Sequence, residues 1–475
     1  MRLALALAGL LCAGCVGSRV VWFGRSPDRR HAVEVIEHGA ARQLVRVDGR
    51  DGPEYLGVGV EGIAWSPDGK RLAYPARRRD GWTVVQGGHE GPVFSGIGAI
   101  VWSAAGELSY AATRAGRWMV VRGGREGPAF DALFGRSLVY SRDGRRFGYA
   151  GERDGRAIAV IDGVEGPPYD GIGGLRFSAD GRRAAYIAHR GGETHGVVDG
   201  VLSPGYEAIA EIALSPAGGR VALSVKEGGL WHAVIDGAKG EGFERLSAIQ
   251  FSARGDRVAY AARRGRKEQV VIDGAMGPAY DAVMPWSLAF SREGRLAYAA
   301  RRGAAWRVVF EGTEGPAYDE VGAPVFAEGG EAIGYSARRG RSSFAVVDGV
   351  EGPAYGWVGQ IAFRSDGRDH AYLARRGERS LVVHGRSESA FDLVVDGTLV
   401  FSRDGRHLAC LVGDAREGRL QVAIDGRIAL PFDVEELTAM VARVPVEERL
   451  LPSPDHDNHL RGWVAAALEA AVADP

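Results

Sequence analysis

The stretch FSADGRRAAYIAHRGG, residues 177–192, has the alternation of a strand, a Ser/Asp/Gly turn and a second strand. Near copies stand upstream as WSPDGKRLAYPARRRDG (65–81) and downstream as FSARGDRVAYAARRG (251–265). Aligned on the serine, the phrase recurs at Ser26, Ser66, Ser103, Ser141, Ser178, Ser215, Ser252, Ser291, Ala327, Arg364 and Ser402, with spacings of 36 to 40 residues. A fixed period in this range marks a propeller or solenoid.

Each unit is expected to supply four short strands, read in the fifth copy as GLRFS, RRAAYIA, HGVVDG and GYEAIA. Four strands of about five residues with four connections of about four fill the period, and helices do not fit. Ten of the eleven anchors are followed three residues later by glycine, Gly181 among them, where the tight turn needs a residue tolerant of positive φ. Asp68, Asp143, Asp180, Asp366 and Asp404 precede that glycine and are read as turn chemistry. A second Asp-Gly turn (Asp48, Asp162, Asp199, Asp273, Asp348) often continues as EGPAYD, and its proline suits an outer edge strand. Tyr74, Tyr110, Tyr149, Tyr186, Tyr260, Tyr298, Tyr335 and Tyr372 share one slot of the second strand and are expected to fill the seams between sheets.

The fold expected is therefore all-β: a β-propeller of about eleven four-stranded repeats, with repeats 1–5 over 20–209 and repeats 6–11 over 210–434. Rings usually hold four to eight blades, so either two consecutive rings or one large ring follows. From 435 to 475 the grammar changes to a C-terminal helical cap, with Leu460, Trp463, Val464, Ala467, Leu468 and Ala471 on one face.

The FSPDGRR-like hairpins followed by an AY strand resemble the WD40-like repeat family of bacterial β-propellers, as in the periplasmic translocation protein of the Tol system. The resemblance covers about residues 20–434. It implies the fold but not a function, since such propellers serve as binding scaffolds, enzymes and partners of peptidase domains. The opening MRLALALAGLLCAGC has one basic residue, a short apolar run and small residues before Cys15, the pattern of an export signal. It resembles a bacterial lipobox, which implies a lipoprotein-type signal over residues 1–15 that is cut before Cys15, the lipidated residue and mature N-terminus, although Cys12 stands where the pattern prefers leucine. Lipidation ties a protein to a membrane surface; the expected location is the bacterial cell envelope, facing the periplasm or the cell surface.

Lys plus Arg (59) nearly cancels Asp plus Glu (60), so global charge gives no reason to seek nucleic acid. Candidate chemistry dissolves in the repeat. GVGVEG (57–62) shares its slot with GIGAI (96–100) and GIGGL (171–175), and the dinucleotide pattern it mimics needs a following helix. Cys410 occupies the tyrosine slot and is expected to be a buried thiol. DHDNH (Asp455 to His459) could offer metal ligands but also reads as a helix cap. A dozen equivalent turn aspartates give no reason to single out a catalytic pair. No catalytic residue, cofactor or metal is expected. An enzyme with a site in the central channel is the alternative, and the apolar first strands IAWS, IVWS, LRFS, IQFS and IAFR speak against it.

One feature does point to binding. The second connection of each unit carries basic residues: Arg77, Arg78, Arg114, Arg190, Arg263, Arg264, Arg301, Arg302, Arg338, Arg339, Arg375 and Arg376. The fourth connection adds Asp131, Asp170, Asp281 and Asp319 at the same end, able to neutralise part of that charge. The expectation is a non-catalytic interaction scaffold whose basic rim meets an acidic envelope protein or polymer.

Overall fold

The computed structural model describes residues 18–431, except 27–29, 39–41, 136, 331 and 415–418, together with Val464. Eleven antiparallel sheets follow one another in chain order among these residues, one per repeat. The protein is a multi-blade β-propeller, and the sheets are called blades 1–11 below.

Blade 5 shows how the phrase folds. Its strands are Gly171–Phe177, Ala184–Arg190, Glu193–Val198 and Val201–Leu202. Between the first two, the Gly181 N–H donates to the Ser178 carbonyl at 2.9 Å and the Ser178 N–H to the Arg183 carbonyl at 2.9 Å. Gly181 closes this turn at φ +72°, a conformation that a Cβ would strain. The Ser178 hydroxyl donates to Asp180 Oδ1 at 2.5 Å and accepts from the Arg183 N–H at 3.0 Å, while Asp180 accepts from the Arg182 N–H at 3.0 Å. Serine and aspartate thus satisfy the polar groups of the bend, and Ser178 is buried. Asp199 and Gly200 take φ of 49° and 80°, a type I′ turn that joins the last two strands directly.

That direct join corrects one expectation. GYEAIA is not the fourth strand of its repeat: Tyr206 bridges back to Thr194 at the outer edge, and Ala208–Leu214 opens blade 6. The outer strand is instead the segment right after Asp-Gly, cut to two residues in six blades, in all but one of which Gly-Pro follows. Proline has no N–H to give the ladder, so the pairing stops there and the edge is blunted.

Packing is organised by the seam between successive sheets. Tyr55–Tyr74, Phe94–Tyr110, Tyr280–Tyr298, Tyr318–Tyr335 and Tyr355–Tyr372 are edge-to-face pairs with centroids 6.0 to 6.4 Å apart. Each joins the end of one outer strand to the second strand of the next blade, and such pairs add about 1 kcal/mol each beyond area burial. The tyrosine slot is buried throughout, as expected. The glycine of EGP lies under these hydroxyls: a Cβ on Gly127 would meet Tyr149 Oη at 2.9 Å.

The chain divides into two compact units, Met1–Gly155 with Asp162–Val164, and Arg156–Ile161 with Glu165–Pro475. The first unit packs blades 1 and 2 around Val35, Tyr55, Leu72 and Tyr74, and blades 2 and 3 around Phe94 and Tyr110. The second has equivalent clusters at each seam from blades 5 and 6 to blades 10 and 11. The cap expected over 435–475 lies outside the described residues apart from Val464. That residue is helical and fully buried against Val400, Ala409, Leu411 and Val422 of blade 11.

Candidate binding surface

The two ends of the sheets treat their charges differently. At the end holding the first and third connections, an arginine or histidine at the start of the second strand pairs with the aspartate of the Asp-Gly turn: Arg146–Asp162 at 2.8 Å, Arg220–Asp236 at 2.8 Å, Arg257–Asp273 at 3.1 Å, His31–Asp48 at 2.6 Å, His407–Asp425 at 2.7 Å. The other carboxylate oxygen accepts a backbone N–H, as Asp236 does from Val221 at 2.9 Å. The same arginines reach the next blade, with Arg220 Nη1 donating to the Asp256 carbonyl at 2.9 Å and Arg257 Nη1 to the Gly294 carbonyl at 2.9 Å. Hydrogen bonds from the turn serines hold Asp68, Asp143, Asp180, Asp256 and Asp404 below the usual carboxylate range. These groups are committed to turns and blade contacts.

The opposite end carries the expected rim, and its arginines fall into two classes. In the paired positions, the second arginine is clamped. Arg339 makes a two-pronged contact with Glu351 at 2.8 and 3.3 Å while lying 4.9 Å from the centre of Tyr318, whose hydroxyl donates to Glu351 at 2.8 Å. Arg376, Glu388 and Tyr355 repeat this with contacts of 2.7 and 2.8 Å, and Arg114, Glu126 and Phe94 do so without the hydroxyl. Arg302 pairs with Glu314 at 2.8 Å, and Arg78 with Glu90 at 2.5 Å. In blade 7 Met276 stands where the glutamate would be, and Arg264 turns to Glu241 of blade 6 at 2.6 Å. Arg114, Arg264, Arg302, Arg339 and Arg376 each lie over an aromatic ring of the preceding blade, and Glu90 of the Arg78 clamp accepts from Tyr55 of blade 1 at 3.1 Å, so the clamps lock seams.

The first arginine of each pair is freer. Arg77 in the first unit and Arg263 and Arg375 in the second are exposed and have no carboxylate partner among the described residues. Arg190 follows His189 at the clamp position of blade 5, yet it too is exposed with no carboxylate partner among the described residues, because the segment after its Asp-Gly turn reads VLSP and carries no glutamate. Arg301 is half-buried over Trp306, and Arg338 binds Glu320 at 2.6 Å. The fourth-connection aspartates are occupied: Asp281 by Lys267 at 2.6 Å and the Gly303 N–H at 2.7 Å, Asp131 by Arg117 at 2.9 Å, Asp170 by Arg156 and the Gly191 N–H, Asp319 by the Gly340 N–H at 2.7 Å. They compensate cations of the third strands and the hairpin amides, leaving one open guanidinium in several blades.

Cys410 lies buried in the seam of blades 10 and 11, and desolvation pushes its thiol up to about 12. Cys15 and the DHDNH cluster lie outside the described residues. Gly57–Gly62 contains a two-residue strand and one 3-10 turn, Val60–Gly62, followed by strand Ala64–Trp65. In the second unit, a cavity of about 460 Å³ runs between the outer strand of blade 6 and blade 7, past Lys239, Glu241 and Met276. Another, of about 310 Å³, lies at the first strands of blades 9–11 beside Trp357 and Asp396. Reading those strands as uniformly apolar hides it in the sequence.

No family profile matches the chain, and no curated protein does. Solved structures similar to it include TolB from Acinetobacter baumannii, at 11% identity and TM-score 0.25 over 62% of this chain and 80% of that one. The Dos1 propeller is similar at 11% identity and TM-score 0.29, over 78% and 92% of the two chains. The β-propeller domain of the Trilobed protease from Pyrococcus furiosus is similar at 12% identity and TM-score 0.25, over 62% and 96%.

Proposed function

We propose that this propeller is a binding scaffold of the bacterial cell envelope, attached through lipid on Cys15, which presents a basic rim to an acidic partner. The supporting observation is the split among the rim arginines. Architecture uses Arg78, Arg264, Arg302, Arg339 and Arg376 as seam clamps, whereas Arg77, Arg190, Arg263 and Arg375 stand exposed without a carboxylate partner among the described residues. Uncompensated guanidinium groups at the same end of blades 5, 7 and 10 in the second unit suit multivalent contact with carboxylate or phosphate groups. They also steer acidic partners in a salt-dependent way.

The test is Arg190→Glu, Arg263→Glu and Arg375→Glu together, in the tagged, lipidated chain. Captured partners and envelope retention are compared with the unaltered chain at about 0.05 and 0.3 M salt, where screening differs strongly. The reading expects the triple variant to lose at least tenfold in capture at low salt, with its melting temperature kept. Unchanged capture and retention overturn it.

A further inference from the structure

The repeat itself supplies the comparison that exposes a second site. The first position of the first strand is Gly57, Gly96, Ala132, Gly171, Ala208 and Ala282 in six other repeats, and in blade 10 it is Trp357. Nothing in the architecture requires an indole there: six blades are built with no side chain or a methyl, and Trp357 is 37% exposed. Its ring lies along its own strand over Gly359, where any side chain would run into the indole. Three positions beyond that slot, most other repeats have small or apolar residues such as Val60, Ala99, Gly174 and Ala248, and blade 6 has Glu211, which accepts the Ile249 N–H of blade 7 at 3.2 Å. Blades 10 and 11 have Gln360 and Asp396. Asp396 Oδ1 accepts the Gln360 N–H at 2.8 Å, and the Gln360 amide holds the Leu399 backbone at 2.8 and 3.0 Å on both sides. This fixes the carboxylate beside the ring.

These groups line the cavity of about 310 Å³, together with Ala323 and Ser336 of blade 9. The second oxygen of Asp396 and the Ser336 hydroxyl have no partner among the described residues. Ser336 stands where Ala111, Ala150, Ala261 and Ala299 fill the same slot in four other blades, a serine it shares only with Ser224 of blade 6 among the described residues. The cavity therefore offers one flat aromatic face, a hydroxyl, and a preset acceptor. Arg375 lies 5.7 Å from the Trp357 ring centre and adds donors at the rim. A cationic ligand would meet that guanidinium, and a planar apolar one would leave Asp396 and Ser336 unpaired at a cost.

We propose that this cavity is a subsite for one sugar unit of a glycan. The axial C–H face of a pyranose stacks on Trp357 while its hydroxyls donate to Asp396 and exchange hydrogen bonds with Ser336. A pocket near the lower limit of ligand-binding volumes, with few and convergent polar groups, fits a single ring of a longer chain.

Calorimetric titration of the intact protein with cellotriose, maltotriose and chitotriose tests this, each neutral so that rim charge plays no part. Saturable binding of at least one is expected, lost in Trp357→Ala, reduced at least tenfold in Asp396→Ala, and kept in the Arg190→Glu, Arg263→Glu double variant. Retained melting temperatures show that the variants fold, and Trp357→Phe, which keeps an aromatic face, restores part of the affinity. No saturable heat with any of the three overturns the proposal, as does binding that survives Trp357→Ala. Binding of tetramethylammonium in place of the sugars also overturns it, and would make the site a cation cage.

Discussion

Asp369 Oδ2 and His384 Nε2 lie 2.9 Å apart in blade 10, with acid and base interchanged relative to Arg146 Nε and Asp162 Oδ2 at 2.8 Å in blade 4. Blade 3 makes the same exchange with Glu107 and Arg122 at 2.8 Å. In both, glycine (Gly385, Gly123) replaces the turn aspartate, and the base comes from the last residue of the third strand. Either polarity ties the start of the second strand to the end of the third, while blade 9, with Ala332 at this point, keeps only the hydrogen bond from the Ile333 N–H to Asp348 at 2.9 Å.

The exchange predicts that Asp369→His with His384→Asp melts within about one degree of the parent. His384→Asp alone places two carboxylates together and melts about one to two degrees lower. Both groups are about a third exposed or more, so the coupling in a double-mutant cycle is small, roughly 0.5 kcal/mol. Equal melting of the single and double variants would refute the role.

Acid stability follows from the turn carboxylates. Serine hydrogen bonds lower the pKa of Asp68, Asp143, Asp180, Asp256 and Asp404, and a hydrogen bond from His31 lowers that of Asp48. A carboxylate with a depressed folded pKa stabilises the fold above its unfolded value of about 3.9 and loses that contribution as pH falls through the folded pKa. Thermal melting is therefore expected to be nearly flat from pH 5 to 7 and to fall progressively below about pH 4. Replacing Asp68, Asp143, Asp180 and Asp404 with Asn lowers the plateau and flattens that fall. A melting temperature that rises below pH 4 contradicts the assignment.

Why the fold is legible in the sequence and the binding surface only partly so is seen in two places. The hairpin phrase carries its own hydrogen bonds, Ser178 to Asp180 to the backbone, so its recurrence reports structure directly. The outer strand does not, because two residues between Asp-Gly and Gly-Pro have no periodicity to read, and the sequence points to GYEAIA as the fourth strand in consequence. The arginine pairs read as one rim although neighbours in a strand point to opposite faces. That alternation alone separates Arg376, clamped on Glu388, from Arg375. Trp357 is legible too, by comparing slots across repeats instead of reading each strand for hydrophobicity.

The seam geometry makes the EGP glycine a sharp test. A Cβ at Gly127 would lie 2.9 Å from Tyr149 Oη and 3.1 Å from the Val120 carbonyl, too close on both sides. Gly127→Ala is expected to cost about 1–3 kcal/mol, the range for overpacking. Adding Tyr149→Phe, which removes the nearer atom, recovers part of the loss. Urea unfolding of the four chains measures this, and a loss unaffected by Tyr149→Phe would place the strain in the backbone instead of the seam.

Cys410 provides the last test, because it takes the slot that tyrosine fills in most other blades. Its environment of Ala362, Leu373, Phe391 and Leu399 offers no charge to stabilise a thiolate, and burial alone pushes the thiol up to about 12. Reactivity requires thiolate and access, and here both are withheld. In a chain beginning at residue 18, where Cys410 is the sole cysteine, an aromatic disulfide reagent at pH 8 is expected to release no thiolate colour from native protein. It should release one equivalent after denaturation. Cys410→Ala removes one buried sulfur from a packed seam, so a loss of about 1–2 kcal/mol is expected with no change in partner capture. Rapid labelling of the native chain would show that the seam between blades 10 and 11 opens, and that the packing assigned to it does not hold in solution.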